Sequence, residues 1–197
     1  MLRRLVAPAV AAALLAVTVL PHPQSLVLSA ASDVEPITII ALPFASAAAH
    51  SNLRLENAAL AWLNQRRSED HLPILRSDPT IGTAARRYGR HLFLYGYLSH
   101  VSRDGRTLED RLTAMGVQAV VVGENLAYAM TLPQAEDALW HSAPHRRNIL
   151  YREYHSVGVG VIDGGRDGVI VVQDFAGSPS TDVGSSPLPA TVMPGMP

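Results

Sequence analysis

Three side chains of this sequence could do acid–base or metal chemistry: the carboxylate of Glu124 and the imidazoles of His100 and His145. Glu124 lies in the segment Gly-Glu-Asn-Leu-Ala at 123–127, between a mostly apolar run at 117–122 and further apolar residues at 128–130. An unpaired carboxylate is costly to bury, so Glu124 must find partners or stay protonated. We therefore expect Glu124, His100 and His145 to meet in one pocket.

Two kinds of chemistry are open to such a pocket. Two imidazoles and a carboxylate could hold a divalent metal such as zinc, with a water molecule in the open position and a lowered pKa for that water. Without metal, Glu124 could fix the tautomer of one histidine and leave that histidine as a general base. Alternatively, Glu124 could stabilise the fold by accepting backbone N–H bonds. Structural, site-supporting roles are predicted for Asn125, Ser142 and Asn148.

Composition limits the class of protein. A chain of 197 residues with 48% apolar and 17% charged residues can form one domain with a sizeable core. The formal net charge of −1 gives no basic excess that would indicate nucleic-acid binding. The absence of cysteine excludes disulfides, cysteine-ligated zinc and a thiol nucleophile.

The ends of the chain differ from its middle. Residues 1–31 are predicted to be a signal peptide, because Arg3 and Arg4 precede a charge-free stretch and small residues follow at possible cleavage sites. The apolar run of about 16 residues is shorter than the ~20 that span a membrane, which favours a cleaved signal peptide. An uncleaved N-terminal anchor is the alternative, and it would be the only expected membrane contact. Residues 32–51 are predicted to be a linker and residues 178–197 a disordered tail. The protein is therefore expected to be secreted, periplasmic or attached to the cell envelope.

Residues 52–177 carry the signals of a folded α+β domain. Ser51 or Asn52 could cap a first helix, and Asp78-Pro79 starts a second that stops at Gly96. Capping-box spacing occurs at 107–110 and 131–134. Alternating branched residues and glycines at 157–161, a turn cluster and an apolar run at 169–172 predict a β-hairpin, whose bare face could accept a closely packed helix.

The order of several short motifs resembles one family. These are Leu98-Ser99-His100, Asp104-Gly105, Arg111-Leu112, Gly123-Glu124-Asn125-Leu126-Ala127, Trp140, Pro144-His145, Asn148-Ile149-Leu150, Val157-Gly158-Val159-Gly160 and Gln173-Asp174-Phe175. In this order they resemble the CAP superfamily (cysteine-rich secretory protein, antigen 5 and pathogenesis-related 1), and most of all its bacterial SCP-like extracellular branch. The resemblance covers roughly residues 52–177.

The resemblance implies a three-layer α-β-α sandwich with a central antiparallel sheet and a cleft lined by two His and two Glu. His100, Glu124 and His145 match three of these positions. The fourth would come from the helix that holds Trp140, where Glu136 precedes the tryptophan and no carboxylate follows it. The implied function is a secreted binding module for an apolar, lipid or envelope-derived ligand. A metal-dependent hydrolase acting on envelope material and a structural protein with a purely stabilising pocket are the alternatives.

Overall fold

The computed structural model describes residues 17–18 and 38–177 of the chain. Within these residues the helices are α1 (Leu53–Glu69), α2 (Pro79–Tyr95), α3 (Leu108–Thr113), α4 (Leu132–His141) and α5 (Ala143–Ile149). The strands are β1 (Val17–Thr18), β2 (Ile40–Ala41), β3 (His50–Ser51), β4 (Arg76–Ser77), β5 (Tyr97–Leu98), β6 (Val121–Ala129), β7 (Ser156–Asp163) and β8 (Val169–Gly177).

The long strands β6, β8 and β7 form the centre of an antiparallel sheet. The full order is β1-β6-β8-β7-β3, and the short β4 runs parallel to one end of β7. Strands β7 and β8 are joined by a turn with a 3-10 helix at Gly165–Asp167, which confirms the predicted hairpin. A separate two-stranded pair joins β2 to β5.

Helices cover both faces of this sheet. Alternate residues of β6 point to opposite faces, as the pleat of a strand requires. Ala127 and Ala129 pack in a core with residues of α1, α4 and α5, whereas Leu126 packs in a second core with residues of α2. Helix α3 contributes to a third, smaller cluster that also contains Ile81 of α2. The expected α+β sandwich of three layers is therefore confirmed.

Helix α2 begins and ends where the sequence predicts. The Asp78 carboxylate accepts hydrogen bonds from the backbone N–H groups of Thr80 (2.8 Å) and Ile81 (3.0 Å), and Pro79 occupies the first turn. Gly96 ends the helix in the left-handed conformation, with φ of 64°. These signals fix where α2 lies along the chain, and the sheet fixes where it packs.

The glycines of β7 allow α2 to lie directly on the sheet. A Cβ atom at Gly158 would lie 2.2 Å from the backbone N of Gly82, and one at Gly160 would lie 2.7 Å from the backbone carbon of Ala85. Only a residue without a side chain fits at these distances. The helix that the bare strand face predicted is therefore α2.

Two local expectations differ from the structure. The described part of the predicted linker, residues 38–51, packs on the domain: β2 pairs with β5, β3 pairs with β7, and the Phe44 ring lies 4.6 Å from that of Phe93. The apolar side chains of this segment are spaced too irregularly to predict a helix or a strand, but they still pack at the edge of the core. Thr131 caps α4 without a side-chain hydrogen bond, so the second capping box is not formed, whereas the box between Thr107 and Asp110 is complete.

The predicted signal peptide and tail lie outside the described residues, apart from Val17–Thr18, whose backbone pairs with β6. Among the residues that the structure describes, no helix has both the length and the apolarity needed to cross a membrane.

Candidate functional site

Glu124 is fully buried in the middle of β6 and is held by two side chains. The Nδ1 atom of His100 lies 2.7 Å from one carboxylate oxygen, and Arg111 forms an ion pair with the other. Burial by itself would raise the pKa of Glu124, but the charge of Arg111 and the His100 hydrogen bond outweigh it and lower that pKa. Because Glu124 is ionised, His100 must carry a proton on Nδ1 and donate it.

Arg111 is fixed as firmly as its partner. It lies on α3, and its guanidinium carbon is 3.5 Å from the centroid of the Tyr88 ring on α2. Its Nη1 atom donates to the backbone carbonyls of His100 (3.1 Å) and Arg106 (3.3 Å). The flat guanidinium thus combines stacking, carbonyl contacts and an ion pair, which a lysine could not reproduce.

A second buried carboxyl group adjoins this pair. Asp174 on β8 is directly opposite Glu124 in the strand register, is fully buried, and shares the face that α2 covers. Burial and then the negative charge of Glu124 raise the pKa of Asp174 well above its usual value. Burial and the adjacent charge thus favour the protonated form of Asp174, so that Glu124 is the carboxylate that balances the guanidinium of Arg111.

The side chains of the opposite face of β6 form a separate amide cluster. Asn125 donates to the backbone carbonyl of His145 (3.2 Å) and to the side-chain oxygen of Gln173 (3.1 Å). Asn148 donates to the side-chain oxygen of Asn125 (3.0 Å) and to the backbone carbonyl of Glu124 (3.2 Å). This network ties α5 to the sheet through Asn125 and Asn148.

The contacts described for the three candidate ligands differ. His100 contacts Glu124 directly, whereas the buried His145 is tied through its backbone carbonyl to Asn125, whose side chain points to the other face of the sheet from Glu124. Ser142 lies between α4 and α5 and makes no side-chain cap bond there.

The contacts of Glu124 leave it little capacity to bind a metal ion. Both oxygens of Glu124 are engaged, and the neighbouring positive charge is already supplied by Arg111. Within residues 17–18 and 38–177, no group of three or more His, Cys, Asp or Glu side chains could hold a metal. A metal-binding role of His100, Glu124 and His145 stays a prediction, and this arrangement does not favour it.

A cleft of about 450 Å³ opens beside the buried pair, between α2, α3 and the loop at 102–106. Its apolar part is contributed by α2 and the end of α3, and its charged part by three arginines and one aspartate. The lining residues are Ala84, Arg87, Tyr88, His91, Ser102, Asp104, Arg106, Arg111, Ala114 and Met115. Arg111 belongs both to this lining and to the buried ion pair, so the two features are continuous.

Two residues of the buried cluster were not assigned site roles from the sequence. Asp174 is the only ionisable residue in β8, and a lone acid in a mostly apolar strand could have indicated a buried carboxyl group. Arg111 gave no such signal, because an arginine on a short helix is usually solvated. The strand register and the position of α3 brought both residues to Glu124.

Comparison with known proteins identifies the fold and its relatives. The model of the cysteine-rich secretory protein family, CAP, matches residues 60–175. The Bacillus subtilis (strain 168) protein YkwD is 28% identical over 123 residues, which are 62% of this chain and 47% of YkwD. An extracellular protein containing an SCP domain from Bacillus anthracis is 28% identical, with a TM-score of 0.58 over 64% of this chain and 41% of that one.

An outer surface protein from Borrelia burgdorferi shares the fold, with 18% identity and a TM-score of 0.62 over 66% of this chain and 98% of that one. This chain spans less than half the length of the two Bacillus proteins that it matches.

Proposed function

This chain belongs to the CAP, or cysteine-rich secretory protein, family, and we propose that it is an exported binding module that takes an envelope-derived amphiphile. The ligand occupies the cleft between α2 and α3. The single observation that carries this proposal is the combination, in that cleft, of an apolar wall with a charged rim. Export is supported by relatives named as extracellular and outer-surface proteins.

The apolar wall is suited to a hydrocarbon portion of the ligand. Ala84 and the ring of Tyr88 lie on α2, and Met115 lies opposite them after α3. Clefts of this size, with an apolar lining and a few fixed polar groups, are typical of small-molecule sites. Methionine adapts its shape to different apolar surfaces, which favours a chain rather than a rigid ring system.

The buried ion pair supports binding rather than catalysis. A general base needs access to the proton that it removes, but His100 is only 8% exposed and its Nδ1–H is committed to Glu124. Glu124 is held by Arg111 and would not act as a nucleophile. We assign His100 and Glu124 a positioning role: they hold Arg111 in place beside the cleft.

The proposal is tested by blocking the cleft. Ala114 is exposed and lines the cleft, so Ala114→Trp fills its mouth without disturbing the core. Ala61→Trp places the same bulk on an exposed position of α1, which lies on the other face of the sheet, and serves as the matched control.

The full chain and both variants are recovered from the host's medium or envelope without detergent or chelator, and organic extracts are analysed by mass spectrometry. We expect an amphiphile in stoichiometric amount with the wild type and Ala61→Trp, and its loss from Ala114→Trp. A wild-type protein that carries no amphiphile, or equal amounts in all three, would overturn the proposal.

A further inference from the structure

The cleft carries more positive charge than its acidic residues balance. Asp104 is the acid of the lining, and it is already bound to Arg106 (2.6 Å) and to the Ser102 hydroxyl (2.6 Å). Arg111 is balanced by Glu124. Among the described residues no acidic side chain pairs with Arg87, whose side chain donates to the sulfur of Met115 (3.3 Å).

The guanidinium of Arg111 also retains an unused donor. Its side chain is 10% exposed, and its Nε atom is buried without a hydrogen-bond partner among the described residues. That Nε atom is itself buried, so an anion in the cleft would contact the exposed part of the Arg111 side chain instead. Because Arg111 is held by its stacking on Tyr88 and by two carbonyls, it needs no rearrangement to receive that anion.

The remaining groups at the cleft do not oppose an anion. Burial lowers the pKa of His91, so its ring is uncharged at neutral pH and neither attracts nor repels an anion by its charge. The arginines of the lining present forked donors, which match the oxygens of phosphate and carboxylate groups. An amphiphile whose polar end is cationic would be repelled by the unbalanced charge of Arg87 and would find no free carboxylate in the lining.

We infer that the cleft between α2 and α3 is an anion-recognition site, in which Arg87, Arg106 and Arg111 bind the phosphate or carboxylate head of an amphiphile whose chain lies against Tyr88. This inference rests on the proposed function and specifies the class of its ligand. The apolar wall provides affinity for the chain, and the arginines decide which head group is accepted.

The test uses four probes with the same eight-carbon chain on the full-length protein: octyl phosphate, octanoate, octyl glucoside and octyltrimethylammonium. Binding is measured by isothermal titration calorimetry at low salt. We expect the two anions to bind, the cation not to bind, and octyl glucoside to bind at least tenfold more weakly than the anions. The relative affinities of octyl phosphate and octanoate distinguish a phosphate head from a carboxylate head.

The matched variants are Arg87→Gln and Arg90→Gln, since both arginines are exposed on α2 and only Arg87 lines the cleft. Arg87→Gln should weaken anion binding about 3- to 10-fold, as expected for the net contribution of one typical hydrogen bond at an exposed position, and Arg90→Gln should leave it unchanged. Raising the salt concentration should weaken the wild type towards the Arg87→Gln value.

The outcomes separate the two proposals. If all four probes bind equally and Ala114→Trp abolishes their binding, the cleft takes amphiphiles and the anion-recognition inference is wrong. If no probe binds and the purified protein carries no amphiphile, both the anion-recognition inference and the proposed function are wrong. If Arg87→Gln and Arg90→Gln weaken anion binding equally, the binding depends on general surface charge and not on the cleft. That result would also overturn the inference.

Discussion

Replacing Arg111 by methionine should destabilise the domain strongly, because it leaves Glu124 as a buried charge without its main partner. Glu124 is fully buried and the Arg111 side chain is 10% exposed, so solvent screens this pair little. Removing one partner of a buried ion pair costs about 3–5 kcal/mol of unfolding free energy. The hydrogen bond from His100 persists and compensates in part, so we expect a loss of about 3 kcal/mol.

The dependence of this loss on pH has a definite sign. Without Arg111, burial dominates and the pKa of Glu124 in the folded state rises above its value in the unfolded chain. Stability from such a group is present below the unfolded pKa and is lost as the pH rises through the folded pKa. The deficit of Arg111→Met relative to the wild type should therefore be largest near pH 8 and shrink as the pH falls towards 4.

The measurement is urea unfolding of the wild type, Arg111→Met, Glu124→Gln and the double variant, at pH 5 and pH 8. The double variant has no buried charge to compensate and should be more stable at pH 8 than Arg111→Met alone. Arg87→Met, an exposed change on the same cleft, is the control and should stay within about 0.5 kcal/mol of the wild type. A loss below about 1 kcal/mol for Arg111→Met, or a double variant less stable than Arg111→Met, would refute charge compensation.

Two further predictions concern other parts of the sheet. Gly158→Ala should cost about 2–3 kcal/mol of unfolding free energy, because its Cβ would meet the backbone of α2 at 2.2 Å. Gly82→Ala should be neutral or stabilising, because its Cβ would meet only the Arg86 side chain, at 3.7 Å. Urea unfolding of both variants decides this, and equal losses would contradict it. Burial raises the pKa of Glu136 to about 7, so the stability that this group contributes is present below pH 4 and lost as the pH rises through 7. The melting temperature of Glu136→Gln should therefore exceed that of the wild type at pH 8 and match it near pH 4, and parallel melting curves at both pH values would exclude this.

The helix boundaries of this domain follow from local chemistry, which a sequence displays directly. The Asp78-Pro79 start of α2, its Gly96 stop and the Thr107–Asp110 box depend on residues within one turn of each other. The glycines of β7 likewise predicted a close neighbour. Capping at Thr131 failed as a prediction because a capping box also needs a rotamer and an entry angle that the surrounding fold sets.

The sequence by itself determined that a carboxylate at 124 must find partners inside the core, and its motifs indicated His100 as one of them. Tertiary structure decided the rest, since it placed Arg111 and Asp174 beside Glu124 and tied His145 to Asn125. The physical reason is that a strand alternates its side chains between two faces, while the register with β8 and the packing of α3 are set by contacts between residues far apart in the chain. A composition or a spacing cannot state which face a distant helix will cover.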